Sequence, residues 1–143
     1  GGVDWSPDGT QLLYDDLVYA PLYKERIFLI NSDQSGERQL TPDVTNGYAY
    51  NPLYSPSGSQ MAYLAVEGMD PDVKINVMVQ DLPDGEARLL ASFPSAYSLT
   101  WTPDGQGLLL ATGDHPNYHV LLISLADGSQ KELADGWQAV MKP

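Results

Sequence analysis

The sequence predicts an all-β chain built from three four-stranded antiparallel units. Three observations predict it. A turn motif recurs three times in the same phase, each recurrence is followed by the same series of strand-sized apolar runs, and no segment sustains the i, i+3, i+4, i+7 apolar spacing of a helix over three turns. The chain has 143 residues, 43% of them hydrophobic, which is enough to bury a real core and too apolar for a disordered tail. Thirteen glycines and eleven prolines exceed ordinary usage and favour many turns between short elements.

The turn motif comes first in each unit. It reads Val3-Asp4-Trp5-Ser6-Pro7-Asp8-Gly9, then Pro52-Leu53-Tyr54-Ser55-Pro56-Ser57-Gly58, then Leu99-Thr100-Trp101-Thr102-Pro103-Asp104-Gly105. The prolines at 7, 56 and 103 give spacings of 49 and 47 residues. Proline fixes φ near −65° for the second turn position, Asp or Ser follows, and glycine supplies φ > 0, so the product is a tight reversal between two strands. The aromatic residues Trp5, Tyr54 and Trp101 end the strand entering the turn. They read as core residues packing neighbouring sheets rather than as ligand contacts, because large aromatics dominate core burial.

The second half of each unit also recurs. Arg26-Ile27-Phe28-Leu29-Ile30 leads through a polar turn at Gly36 to Arg38-Gln39-Leu40-Thr41. Ile75-Asn76-Val77-Met78-Val79 leads through Pro83-Asp84-Gly85 to Arg88-Leu89-Leu90, and Val120-Leu121-Leu122-Ile123 through Ala126-Asp127-Gly128 to Lys131-Glu132-Leu133. Four short strands in a unit of about 40–50 residues is the arithmetic of a β-propeller blade. A β-sandwich is the rival, but it does not require one aromatic-hydroxyl-proline-glycine unit three times in phase.

Trp5-Ser6-Pro7-Asp8-Gly9-x-x-Leu12-x-Tyr14, then the run from Arg26 to Asp33, then Gly36-Glu37-Arg38-Gln39-Leu40-Thr41 together resemble the TolB-type, WD-like propeller repeat. The resemblance covers nearly all of residues 3–134 and departs mildly at Tyr54, Ser57 and Thr102. It implies a six-bladed ring with strands A to D in each blade, A innermost. Carried onto this chain, the A strands lie near 2–6, 48–55 and 96–102, and the B strands near 11–17, 60–66 and 107–112. The C strands lie near 25–31, 74–80 and 118–125, and the D strands near 37–41, 86–91 and 129–134. The blades are then about 2–41, 48–91 and 96–134, with 137–143 as the start of a fourth repeat. The A–B and C–D turns face one side of the ring, the B–C and D–A connections the other. Three blades make an arc with two open ends. Either further repeats of a longer protein cover them, or two copies join as a homodimer in a six-bladed ring, the commonest oligomer symmetry being two-fold.

The chemistry in the sequence favours binding over catalysis. Its two histidines, in Gly113-Asp114-His115-Pro116-Asn117-Tyr118-His119, would lie about 13 Å apart along a strand at ~3.3 Å per residue, too far to share one metal. There is no Gly-x-Ser-x-Gly elbow, and Ser6 and Ser55 belong to the repeated turn. Asp15-Asp16, Asp70-Pro71-Asp72 and the turn aspartates lack calcium-loop spacing and read as turn chemistry and solvation. No metal, cofactor or catalytic residue is therefore expected. Tyrosine and tryptophan gather instead at the B–C and D–A connections, where Tyr19, Tyr23, Tyr48, Tyr50, Tyr97 and Trp137 are the candidate binding residues, offering large area at low entropy cost.

Charge narrows the partner. Nineteen acidic against seven basic residues give −12, which excludes a nucleic-acid footprint and disfavours anionic membrane surfaces. No run approaches the ~18 apolar residues of a spanning helix. A protein or peptide partner of neutral or cationic character fits best. The resemblance implies a periplasmic or extracellular bacterial setting. It also supplies an alternative, the propeller accompanying a prolyl-oligopeptidase-like serine peptidase. A carbohydrate-binding propeller is the third reading, since aromatic platforms beside acids also suit sugars.

Overall fold

A computed structural model describes residues 1–19, 24–42 and 47–135. Tyr23, Trp137 and the expected fourth-repeat segment 137–143 lie outside the described residues. Among the described residues there are twelve strands and no helix. Blade 1 is β1 (Val3–Trp5), β2 (Gln11–Val18), β3 (Lys24–Asn31) and β4 (Arg38–Gln39). Blade 2 is β5 (Gly47–Tyr54), β6 (Gln60–Glu67), β7 (Lys74–Asp81) and β8 (Ala87–Phe93). Blade 3 is β9 (Ser98–Trp101), β10 (Gly107–Asp114), β11 (Asn117–Ser124) and β12 (Gln130–Asp135). Each blade is an antiparallel meander in chain order.

β4 is shorter than the expected 37–41 strand for a local reason. The Leu40 N–H still donates to the Ile27 carbonyl at 2.8 Å, but the Ile27 N–H turns to the Thr41 hydroxyl at 3.0 Å. A side chain thus replaces the backbone acceptor and regular pairing ends.

The recurring turns are held by their own side chains. In blade 1 one Asp8 oxygen accepts from the Ser6 hydroxyl at 2.7 Å, the Thr10 N–H at 3.0 Å and the Thr10 hydroxyl at 2.7 Å. Asp104 accepts in the same way from Thr102 at 2.6 Å and the Gln106 N–H at 3.0 Å. Blade 2 has Ser57 at this place, and a chain of hydroxyls, Ser55, Ser57 and Ser59, takes over. These hydrogen bonds hold the Asp8 and Asp104 carboxyls below the usual carboxylate range, the Thr10 N–H being the largest cause at Asp8 and the Thr102 hydroxyl at Asp104.

The core lies between blades. Leu13, Ile27 and Leu29 of blade 1 pack on Ala49, Tyr54, Met61 and Tyr63 of blade 2. The other face of blade 2, with Leu64, Val77, Val79 and Phe93, packs on Leu99, Trp101, Leu108, Leu110 and Ile123 of blade 3. Each fully buried aliphatic side chain contributes about 1.5–3 kcal/mol. Blade 2 is covered on both faces, so Met61, Ala62, Tyr63 and Leu64 are all buried in sequence, and polar alternation is absent there.

Several polar pins between blades converge on β5. β5 carries a bulge between Tyr50 and Leu53, with Asn51 at φ 58° and Pro52 within it. Blade 1 carboxylates take one N–H inside it and one just beyond it: Asn51 N–H donates to Asp15 at 2.6 Å and Tyr54 N–H to Asp4 at 2.7 Å. Asp15 also accepts from the Gly2 N–H at 2.7 Å. Expected as a solvated pair with Asp16, Asp15 is instead 8% exposed and joins two blades. At the next junction the Trp101 indole N–H donates to the Leu53 carbonyl at 3.1 Å.

The turns of successive blades also stack. A Cβ placed on Gly58 would meet Pro7 at 3.2 Å, and one on Gly105 would meet Pro56 at 3.7 Å, whereas one on Gly9 would meet nothing within 4 Å. Trp5 departs from expectation in the same sense. It is 54% exposed, against 7% for Tyr54 and 9% for Trp101, because each of these aromatics points at the preceding blade and none of the described residues stands before blade 1.

Two outcomes follow. Gly9 and Gly58 share positive φ, at 72° and 76°, so alanine at either site carries about 1–2 kcal/mol of left-handed strain. Gly58→Ala must also displace Pro7, and chemical denaturation should find it the more destabilising of the two. Because the folded pKa values of Asp8 and Asp104 are depressed, their stabilisation is present above the unfolded carboxylate pKa and lost as pH falls through the folded values. Alanine at both positions should flatten the acid limb of the thermal-midpoint profile below about pH 4.

Candidate functional site

The candidate site is a cleft of about 560 Å³ between blades 1 and 2, within the size range of ligand pockets. It opens on the side of the B–C and D–A connections, since it is lined by Tyr48 at the start of β5 and by Glu67 and Gly68 at the end of β6. The opposite side carries the A–B and C–D turns, which are tied to one another by the Ser32 N–H to Thr10, Leu82 N–H to Ser59 and Leu125 N–H to Gln106 carbonyl bonds.

Blade 1 supplies Arg26, from β3, and Thr41 to the cleft. Arg26 is 1% exposed. Its Nη1 donates to the Glu25 carbonyl at 2.8 Å and across the junction to the Gly47 carbonyl at 3.0 Å. The guanidinium therefore fixes the first residue of β5 and, with it, the neighbouring Tyr48. A buried cation is retained only where such acceptors surround it.

Blade 2 supplies the rest of the lining. Asn76, on β7, is buried; its Nδ2 donates to Glu67 at 2.8 Å and its Oδ1 accepts from the Ser92 hydroxyl at 2.7 Å. This amide bridge orients the Glu67 carboxylate at the cleft mouth. Tyr63, 4% exposed, has its phenol pushed up to about 12 by burial, so it stays a neutral hydroxyl at physiological pH. Tyr48 stands 44% exposed over this lining. The arrangement offers a fixed cation deep inside, a positioned carboxylate, an apolar wall at Ala65 and Met78, and an accessible aromatic ring.

The other candidate residues are dispersed. Tyr50 is half-buried and packs on the core between blades 2 and 3. Burial, then the Glu25 charge, raises its pKa. Tyr97 belongs to blade 3, where its ring meets Tyr118 edge-on at 5.6 Å and its hydroxyl donates to the Gly113 carbonyl at 2.7 Å. Tyr19 is 69% exposed just after β2. Among the described candidates, the structure thus brings only Tyr48 into the cleft. Sequence reasoning missed Arg26, Asn76 and Glu67, whose sole signal was polarity inside otherwise apolar strands. His115 sits in the β10–β11 connection against Tyr118, and His119 faces Glu132 at 2.9 Å on the blade 3 surface. Among the described residues no group of three or more His, Asp or Glu side chains is placed to hold a metal ion.

Comparison with known proteins gives the architecture a context. No family model matches the chain. It is 25% identical over 141 residues to Dipeptidyl-peptidase 5 of Porphyromonas gingivalis, covering 92% of this chain. The chain spans about a fifth of the length of that relative, 20%. Among solved structures, the β-propeller domain of the Trilobed protease from Pyrococcus furiosus superposes with a TM-score of 0.71 at 16% identity, over 94% of this chain and 42% of that one. TolB from Acinetobacter baumannii gives 0.66 at 20% identity, over 94% of this chain and 32% of that one. These likenesses, with the three four-stranded sheets, make the chain an arc of a β-propeller.

Removing the amide bridge tests the cleft's construction. Asn76→Ala strands the Ser92 hydroxyl and releases Glu67, and should cost about 1–3 kcal/mol in urea unfolding, the usual result of unpairing buried polar groups. Asn76→Asp should cost more, because it sets a second carboxylate against Glu67.

Proposed function

We propose that this chain is a non-catalytic propeller module that binds an extended protein or peptide segment in the cleft between blades 1 and 2. The observation that carries the proposal is the pairing, in one cleft, of an accessible Tyr48 ring with polar groups held rigid by Arg26 and Asn76. Rigid aromatic area beside preorganised polar groups is the usual make-up of a binding hot spot. The net charge of −12 favours a neutral or cationic segment through long-range attraction. The resemblance of the repeats to TolB-type propellers supports an extracytoplasmic setting.

A second reading is favoured by the likeness to a dipeptidyl-peptidase over 92% of this chain and to the propeller of a protease. In it the arc belongs to a peptidase assembly, and its cleft receives peptide segments on their way to or from a catalytic domain. The two readings share the ligand chemistry. A carbohydrate ligand is the contrasting outcome.

The experiment is a fluorescence titration with a library of short unstructured peptides of graded charge. Cationic members should bind, and Tyr48→Ala should weaken them about tenfold, equivalent to ~1.4 kcal/mol, without changing the circular dichroism spectrum. Equal affinity of Tyr48→Ala for every peptide would sink the assignment of the cleft. Binding confined to a glycan array, and lost in the same variant, would move the ligand class to carbohydrate.

A further inference from the structure

We infer that the cleft between blades 1 and 2 selects a basic side chain, lysine or arginine, of the segment it binds, with the Glu67 carboxylate and the Tyr63 hydroxyl as the acceptors. The inference rests on the reading of this cleft as a peptide site and names the feature of the peptide that it recognises.

Strand alternation sets these acceptors in a row. Tyr63, Ala65 and Glu67 stand on one face of β6, two residues apart and so about 6–7 Å from one to the next. All three line the cleft. Opposite them on β7 stand Met78, Asn76 and Lys74 in turn. Among the described residues the lining takes in Met78 and Asn76 but not Lys74.

Glu67 is aimed by its choice of partner. Lys74 lies directly across the ladder, where opposite charges ordinarily pair, yet these two form no ion pair. The carboxylate bonds diagonally instead, its Oε2 accepting from Asn76 Nδ2 at 2.8 Å. Because Asn76 faces Ala65, this bond draws the carboxylate back along β6, over Ala65 and into the cleft. The amide is held with its NH2 toward Glu67, since the Ser92 hydroxyl donates to its Oδ1 at 2.7 Å. Among the described residues nothing donates to Glu67 Oε1.

Tyr63 is the independent observation. It is 4% exposed, and its hydroxyl has no hydrogen-bond partner among the described residues. A buried hydroxyl ordinarily has one. The Tyr54 hydroxyl is also without a partner, but it is sealed in the core away from the cleft. That of Tyr63 belongs to a residue of the cleft wall, within reach of a donor brought by a ligand.

Two open acceptors, one charged and one neutral, thus border an apolar wall at Ala65 and Met78. The complementary group is a cation that only donates and rides on an aliphatic stem. Lysine and arginine meet that description, and neither carries an acceptor. Their bonds to a carboxylate are charge-assisted and roughly twice as strong as neutral ones. A side-chain amide or hydroxyl gives up that charge, and an acidic side chain is repelled by Glu67. Arg26, whose Nη1 is turned onto the Glu25 and Gly47 carbonyls, puts a positive charge at the deep end. It opposes the passage of a ligand cation beyond the two acceptors.

The test is calorimetric titration of the chain with three peptides blocked at both ends, Ac-Gly-Ser-Xaa-Ser-Gly-amide, where Xaa is lysine, norleucine or glutamate. Blocking removes the terminal charges, so any discrimination belongs to the central side chain. The lysine peptide should bind about tenfold tighter than the norleucine peptide, with the glutamate peptide weakest. Glu67→Gln should bring the lysine peptide down to the norleucine level, and Glu67→Lys should invert the order. Tyr63→Phe should weaken the lysine peptide about threefold. Asp72→Asn removes the same charge from the β6–β7 connection, outside the cleft lining, and should leave the tenfold ratio in place. Equal binding of all three peptides overturns the inference and leaves the cleft a peptide site. So does a ratio that survives Glu67→Gln, a ratio that falls equally in Asp72→Asn, or a lysine affinity unchanged in Tyr63→Phe. Failure of every peptide to bind overturns the reading of the cleft itself and this inference with it.

Discussion

The face-to-face packing of one four-stranded sheet on the next is the constraint on which the rest of this molecule depends. A meander of short strands has two apolar faces and no core of its own, so it persists only when a neighbour covers it. Blade 2 has neighbours on both sides, and four successive buried residues, Met61 to Leu64, are the result. The polar pins make sense only against that packing. Asp15 and Asp4 reach the Asn51 and Tyr54 N–H groups at the β5 bulge because the packing brings β5 within range. Their role is to fix one sheet's register on the next, where apolar contact alone allows sliding.

The candidate cleft is a by-product of the same geometry. Packed sheets diverge toward the ends of their strands, and the gap left between blades 1 and 2 has to be closed by polar side chains or left open to a ligand. Arg26 and Asn76 partly close it and make its walls stiff. A site assembled this way owes its shape to the junction rather than to any one strand, and a change at the junction is felt at its mouth.

How far this was legible in the sequence differs from residue to residue. The turn motif was legible because its chemistry is local: Ser6, Asp8 and Gly9 act on one another within a few residues. The strands were legible because the apolar runs repeat in phase, although β4 ended early once Thr41 offered its hydroxyl to Ile27. The buried roles of Asp15 and Arg26 were not legible. Both are ordinary charged residues on strands, and only the approach of a second blade makes one a bracket and the other a clamp. Trp5 is the converse case. It shares the repeat position of Tyr54 and Trp101, which pack between blades, yet it is exposed, because burial at that position comes from a neighbouring sheet and not from the residue itself. The aromatic candidates misled by proximity in sequence: Tyr48 and Tyr50 are two residues apart on β5, yet one stands over the cleft and the other packs toward blade 3.

The stacked turns give the arc a direction, and so do two forward-reaching cations: Arg38 of blade 1 donates to Asp84 of blade 2 at 2.8 Å, and Arg88 of blade 2 to the Leu125 carbonyl of blade 3 at 2.9 Å. Aromatic rings point back and guanidinium groups point forward, so each sheet is received on one face and delivered on the other, like a course of interlocking tiles. Duplicating such a unit yields workable junctions without new chemistry, provided the copy is inserted in the same sense. An inverted blade would set ring against ring and cation against cation. Adding whole repeats to such an arc thus preserves the chemistry of every junction, while shuffling strands within a repeat does not.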